Sequence, residues 1–353
     1  MKKIFIILLF WVLAAFGGES YELVWLGDMH YDARELHTEK YIKNMTDKNK
    51  ATLARNLHSW GEAGEADAPS RKLLALAGEA ARSADFAFQI GDFAHGHAGS
   101  RELAERMYEE AIATIRAPFE KPFYFAVGNH EYKGEGADVS LKNTLFPYLN
   151  RELNVTLGSF NFAFSHKGDA YIFWDSAKPD LAWLLDALAA RKDARYTFLV
   201  THFPVLPVGE EKAGWVPFGK AGKASERKAL LDALCESRAI VLCGHIHEQT
   251  LLEYESKRGK ITQISAFSLF GPKKPMINGE IKEGGVELYK AKKSVREGLE
   301  DDGYLARLLG EYIPHITRYA HIDGAGYCVL KVSDEGVTNE FRGLGETRIV
   351  KVR

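Results

Sequence analysis

From Glu22 onward, short apolar runs alternate with segments whose apolar residues recur at helical spacing. Residues 23–26, Leu-Val-Trp-Leu, read as a buried strand because no polar residue interrupts them. Residues 70–83 read as a helix, with Leu73, Leu74, Leu76 and Ala77 on one face and Ser70 placed to cap its start. The same reading predicts strands over 86–90 and 123–127, separated by a helix over 102–116. A strand pair follows at 160–164 and 170–174, then a helix at 181–190, a strand at 196–200, a helix at 226–235 and a strand at 240–243. Later strands fall at 261–265, 327–332 and 338–342.

Strand–helix alternation of this kind predicts an α/β domain whose central strands are buried on both faces. In such domains ligands bind beyond the carboxyl ends of strands, so the residues that follow each strand carry the functional signal. Gly27-Asp28-Met29-His30 follows the first strand and Gly91-Asp92 the second. Gly128-Asn129-His130-Glu131 follows the third, Thr201-His202 the strand at 196–200, and Gly244-His245-Ile246-His247 the strand at 240–243. Each strand thus ends in a side chain that can hold a metal, and four of the five have glycine beside it, where a sharp turn or a close approach is needed. Carboxylate, imidazole and amide oxygen suit Mn, Fe, Zn or Mg, and no thiolate is among them. Any one motif alone has a plainer explanation: Gly-Asp is a common turn, and a lone His202 is an ordinary core histidine. All five in order, each at a strand end, point to a metal site.

Composition changes little in this picture. The 353 residues suffice for one large α/β domain, and 46% hydrophobic with 27% charged residues is ordinary for a soluble globular chain. A formal net charge of −2 gives no support for nucleic-acid binding. The N-terminus is distinctive: Lys2 and Lys3 precede an apolar run over 4–16, then Ala15-Phe16-Gly17 as a cleavage site. Residues 1–17 are therefore expected to be a signal peptide, directing export to a periplasmic or secreted location. The run is short for a membrane span, which needs about 20 residues, so no stable span is expected once it is removed. Of Cys235, Cys243 and Cys328, Cys243 reads as a buried thiol, and a Cys235–Cys243 bridge is the alternative.

With its five motifs in order, the chain resembles the calcineurin-like metallophosphoesterases, whose signature runs Asp-x-His, Gly-Asp, Gly-Asn-His-(Asp/Glu), His, Gly-His-x-His. The resemblance covers residues 28–247, with closing strands and loops over 255–345, and implies one catalytic domain over 20–345. The implied fold is an α/β four-layer sandwich of two mixed β-sheets flanked by helices. The implied cofactors are two divalent or trivalent metal ions. By motif position, Asp28, His30 and His247 would hold the first ion, and Asp92 would bridge both. Asn129, His202 and His245 would join Asp92 around the second. His130 would not be a ligand; it would lie over the scissile phosphate, and with Asp92 it is the expected catalytic residue. Purple acid phosphatases carry a tyrosine three residues after the Gly-Asp carboxylate. Here that position is His95, so the chain resembles the Asp-x-His branch instead.

The resemblance implies hydrolysis of a small-molecule phosphate ester by attack of a metal-bridging hydroxide, as a phosphodiesterase. A phosphomonoesterase of the same fold and a non-catalytic binding protein are the alternatives, and oligomeric state is left open. Expected substrate contacts are Asn129, His95 and His97, with Lys273 and Lys274 as further candidates. Residues 31–60, rich in charge, read either as a solvated helix or loop or as a lid. Residues 212–223 read as a mobile surface loop, and 282–302 as a solvated helix or insertion.

Overall fold

The computed structural model describes residues 19–61, 65–209, 213–269, 278–291 and 303–353. The expected signal peptide and the Lys273–Lys274 pair lie outside the described residues. The strands, in chain order, are β1 (Tyr21–Leu26), β2 (Phe86–Gln89), β3 (Phe123–Phe125), β4 (Phe162–His166), β5 (Asp169–Trp174), β6 (Thr197–Thr201) and β7 (Ile240–Cys243). They continue with β8 (Gln249–Ser256), β9 (Gly259–Ser265), β10 (Asn278–Gly284), β11 (Ile316–Asp323), β12 (Tyr327–Ser333), β13 (Gly336–Arg342) and β14 (Thr347–Lys351). The helices are α1 (Glu39–Asn44), α2 (Asp47–Trp60), α3 (Pro69–Ala80), α4 (Arg101–Arg116), α5 (Ala137–Leu153), α6 (Leu181–Ala189), α7 (Ala224–Glu236), α8 (Val286–Ala291) and α9 (Tyr304–Tyr312).

Two mixed sheets result. One has the order β14-β13-β12-β1-β2-β3, the other β10-β11-β8-β9-β7-β6-β5-β4. In the first, β1, β2 and β3 run parallel and β12 to β14 are added antiparallel. In the second, β5, β6, β7 and β9 are the parallel core. The outermost strand of the first sheet, β14, lies past residue 345, the expected end of the domain.

The alternation of side chains along each strand decides the layers. Tyr171 and Phe173 of β5 turn inward, where Phe173 meets Phe88 of β2 with ring centroids 5.5 Å apart and Tyr171 meets Phe86 at 5.0 Å. Ile172 and Trp174, one residue out of phase, pack outward with Leu184 of α6, Leu230 and Leu234 of α7 and Leu308 of α9. Helices α3 and α4 bury Leu73, Leu74, Ala77, Met107, Tyr108 and Ala111 on the first sheet's side. The architecture is the expected sandwich of two mixed sheets flanked by helices. Buried Asp169 links the sheets: it accepts from the Tyr21 hydroxyl of β1 at 2.7 Å and from Arg195 Nη2 at 2.7 Å. Cys235, Cys243 and Cys328 are buried free thiols, so the alternative Cys235–Cys243 bridge is not formed.

Residues 31–60 hold two helices, α1 and α2, largely exposed to solvent, as the solvated-helix alternative expects. Thr38 and Thr46 cap α1 and α2 through their side chains. A buried polar network then holds the segment down: Asn56 Nδ2 donates to Asp32 Oδ2 at 3.0 Å, and His37 Nε2 lies 2.7 Å from Asp32 Oδ1. The second nitrogen of His37 donates to the backbone carbonyl of His97 at 3.1 Å.

Candidate metal centre

The loops after β1, β2 and β3 are stitched together by their own backbones. The N–H groups of Met29 and His30 donate to the Asp92 carbonyl at 3.0 and 2.9 Å, and the N–H of Tyr31 to that of Phe93 at 2.9 Å. Glu131, fully buried, accepts from the N–H groups of Asp92 (2.9 Å), Ala94 (3.0 Å) and Gly128 (2.7 Å). It clamps the second motif to the third. Burial, followed by the charge of Asp92, pushes its carboxyl up to about 8 against the pull of those donors.

The motif glycines have a steric reason. A Cβ on Gly128 would stand 2.3 Å from Asp92 Oδ1, and one on Gly244 would stand 2.4 Å from Asp28 Oδ1. Each glycine makes room for a carboxylate from another motif, a relation spacing alone does not reveal. Four of the donor residues are not glycine yet adopt the left-handed backbone: His30 at φ 45°, Asp92 at 54°, His245 at 68° and His247 at 54°.

All seven expected donors converge. Asp28, His30 and His247 form one group and Asp92, His202 and His245 a second, with the donor atoms of each within 4.8 Å of one another. In the first, His247 Nε2 lies 2.9 Å from Asp28 Oδ2 and 3.1 Å from His30 Nε2. In the second, His202 Nε2 lies 3.2 Å from Asp92 Oδ2, from Asn129 Oδ1 and from His245 Nδ1. The two carboxylates are used alike. Asp28 Oδ1 accepts the His245 N–H at 2.9 Å and Asp92 Oδ1 accepts the His130 N–H at 2.8 Å, which leaves each Oδ2 to the side-chain donors. Asp92 Oδ2 also lies 3.9 Å from His30 Nε2, so it faces both groups.

The electrostatics favour cation binding. Burial works against ionisation of Asp28 and Asp92, yet His247 and His202 around the first, and His202 and His130 around the second, hold both carboxyls below the usual range. Burial drives His30 well below the ordinary imidazole range and His245 down to about 3, leaving neutral rings with lone pairs to give. His202 differs: burial opposes its protonation, but Asp92 and Asp28 prevail and lift it to about 9. Its Nδ1 faces the Ile90 carbonyl at 3.2 Å, an acceptor only, so Nδ1 carries a proton and Nε2 faces the donors. Two buried carboxylates and four imidazoles, of which His247 alone is exposed, have their coordinating atoms turned on one another, a set that fits Mn, Fe, Zn or Mg.

His130 is set beside the first group, its ring 4.5 Å from His30. Its Nδ1 donates to the His95 carbonyl at 2.6 Å, which leaves Nε2 available. The His95 ring lies 5.1 Å from that of His130, with its Nδ1 buried and unpartnered, and His97 lies 5.8 Å from His130 and 5.6 Å from His95. Burial lowers both, His95 well below the usual range and His97 to about 4. Motif spacing does not reveal the clamp of Glu131, the Asp32–His37–Asn56 network or the placement of Trp215 against His245, with ring centroids 4.7 Å apart. Only Glu131 carried a usable signal, its place at the end of Gly-Asn-His-Glu.

A family model described as calcineurin-like phosphoesterase matches residues 22–249, a span that holds every residue of both groups. No curated protein matches the chain. Among solved structures, one described as GAP50, the anchor in the inner membrane complex of Plasmodium, is 14% identical, over 95% of this chain and 89% of its own, with a TM-score of 0.47. Another, described as the structure of PhoD, is 10% identical over 94% of this chain and 68% of its own, with a TM-score of 0.54, a likeness of fold alone.

Proposed function

The chain belongs to the calcineurin-like phosphoesterase family, and from that premise we propose that it is an exported phosphodiesterase working through a pair of metal ions. Membership implies hydrolysis of phosphate esters. The observation that carries the two-ion reading is Asp92, whose Oδ2 stands 3.2 Å from His202 Nε2 and 3.9 Å from His30 Nε2. One carboxylate oxygen between two donor groups is what a bridging ligand requires. Asp28, His30 and His247 would hold one ion, and Asn129, His202 and His245 the other, with Asp92 shared. When bound, such ions supply Lewis-acid polarisation of the phosphoryl group and an activated water.

The residues around them do the remaining work. His130, its ring fixed by the Nδ1–H donated to the His95 carbonyl, turns Nε2 to the departing ester oxygen and protonates it from the imidazolium form, which the negative charge of a bound ester favours. Asn129 and the His95–His97 rim orient the phosphoryl oxygens. The two rim imidazoles are neutral near pH 7, since burial depresses both His95 and His97. A rim that offers hydrogen bonds instead of fixed charge suits a singly charged diester better than a dianionic monoester. Export rests on the basic start and apolar run over residues 2–16; among the described residues, no helix is long and apolar enough to cross a membrane.

Elemental analysis of purified protein, run beside assays of bis(p-nitrophenyl) phosphate and p-nitrophenyl phosphate with Mn, Fe, Zn and Mg, tests this. Two ions per chain and a higher kcat/KM on the diester are expected. A higher value on the monoester would assign the chain to the monoesterases, and no turnover of either would leave a binding protein of the same fold.

A further inference from the structure

The second donor group has an aromatic wall that the metal chemistry does not use. Phe203, next in sequence to His202, is half-buried, and its ring stands edge-on to His245 at 4.6 Å and 78°. Trp215 lies against the same imidazole at 4.7 Å and 59°, and 6.3 Å from Phe203. Trp215 is 44% exposed, and among the described residues it is the only aromatic one of the large exposed hydrophobics. An indole left in water forgoes a large burial gain.

The loop that carries Trp215 is not free to fold it away. Val216 is buried beside it. Arg227 Nη1 donates to the Phe218 carbonyl at 2.8 Å, and the Tyr304 hydroxyl to the Gly219 carbonyl at 2.8 Å. Arg227 is held in turn by Glu311, Nη2 to Oε2 at 2.7 Å. The loop is pinned on its inner side while the indole stays out. A fixed, open π-face beside a metal donor matches a planar ring, because every aromatic ring offers a face for stacking.

Resting on the phosphodiesterase reading, we propose that Phe203 and Trp215 form a subsite beside His245 that stacks a planar ring, a nucleobase or an aryl group, carried by the ester substituent that is not released. The flank matters. His130, which serves the departing oxygen, sits against His30 of the first group, whereas Phe203 and Trp215 touch His245 of the second. A diester has one substituent for each flank.

Three diesters with a common p-nitrophenol leaving group test this: the thymidine 5′-ester, the phenyl ester and the methyl ester of p-nitrophenyl phosphate. Wild-type kcat/KM should be about tenfold higher for a ring-bearing ester than for the methyl ester, the scale of one base–aromatic stack. Trp215→Ala should bring that ratio close to one, and Trp215→Phe should keep most of it. Preference for the thymidine ester alone identifies a nucleobase subsite, and preference for both ring esters a general aryl subsite. Equal rates on all three, or a preference that survives Trp215→Ala, overturns the proposal. Thymidine 5′-monophosphate should also quench tryptophan emission in the wild type and not in Trp215→Phe. If none of the three esters is hydrolysed, the phosphodiesterase reading fails, and this titration decides the subsite alone: quenching lost in Trp215→Phe supports it, and no quenching overturns it.

Discussion

Asp92 Oδ1 accepts the backbone N–H of His130 at 2.8 Å, so the carboxylate that faces both donor groups also sets where the His130 imidazole starts. The two residues nonetheless have separable roles. His130→Ala should lower kcat by about 100- to 10,000-fold, the range of a general acid, with metal content retained. Asp92→Ala should lose metal and activity together. Metal analysis beside steady-state kinetics reads both, and loss of metal in His130→Ala would count against its role as a proton donor.

Gly128 and Gly244 can be tested without touching a donor. Alanine at either position drives a methyl group into Asp92 or Asp28, at 2.3 and 2.4 Å from Oδ1. Both variants keep all seven donors, yet metal affinity should fall by about 10- to 100-fold, the usual effect of disturbing a ligand's support. Competition against a chelator measures it. Unchanged affinity in both variants would mean the carboxylates can shift at no cost.

Metal uptake should expel a proton from His202. Its pKa near 9 in the metal-free chain lies above the ordinary 6.5, so its proton stabilises the fold fully below pH 6.5, and that contribution is lost as pH rises through about 9. A metal ion needs the lone pair that this proton occupies. Titration calorimetry with Zn at pH 7, in buffers of different ionisation enthalpy, should show proton release, with affinity rising between pH 6.5 and 9. Binding without proton release would contradict the assignment of His202 as a donor.

Removing the Glu131 clamp should be costly. Glu131→Ala leaves three buried N–H groups without an acceptor, at about 1–3 kcal/mol each. The melting temperature should drop by roughly 10 °C, with a smaller drop for Glu131→Gln, which keeps one acceptor oxygen. A change under about 2 °C in the alanine variant would show that water reaches those groups.

The central strands and the donor set were legible in the sequence because both obey local rules: an unbroken apolar run, then glycine and a donor. What the sequence hid depends on tertiary partners. Helix α2 buries Leu53, Asn56, Ser59 and Trp60, a face half polar, because Asn56 and Ser59 find partners inside. It therefore shows no apolar stripe. Helix α5 carries Pro147 in its interior and buries Ser140, which blurs its period. Strand β8 buries Gln249, Thr250 and Glu253, so no clean apolar run marks it. Trp215 sits among glycines whose composition says only that a loop is present, and its closeness to His245 arises from how that loop is pinned.

The left-handed backbone at His30, Asp92, His245 and His247 has an evolutionary consequence. Such conformations cost about 1–3 kcal/mol each in a residue with a side chain, and glycine would relax all four. Glycine would also delete one of the proposed metal donors. Selection for heat resistance and selection for turnover therefore pull these four positions in opposite directions, and thermostable descendants of this chain should carry their gains elsewhere.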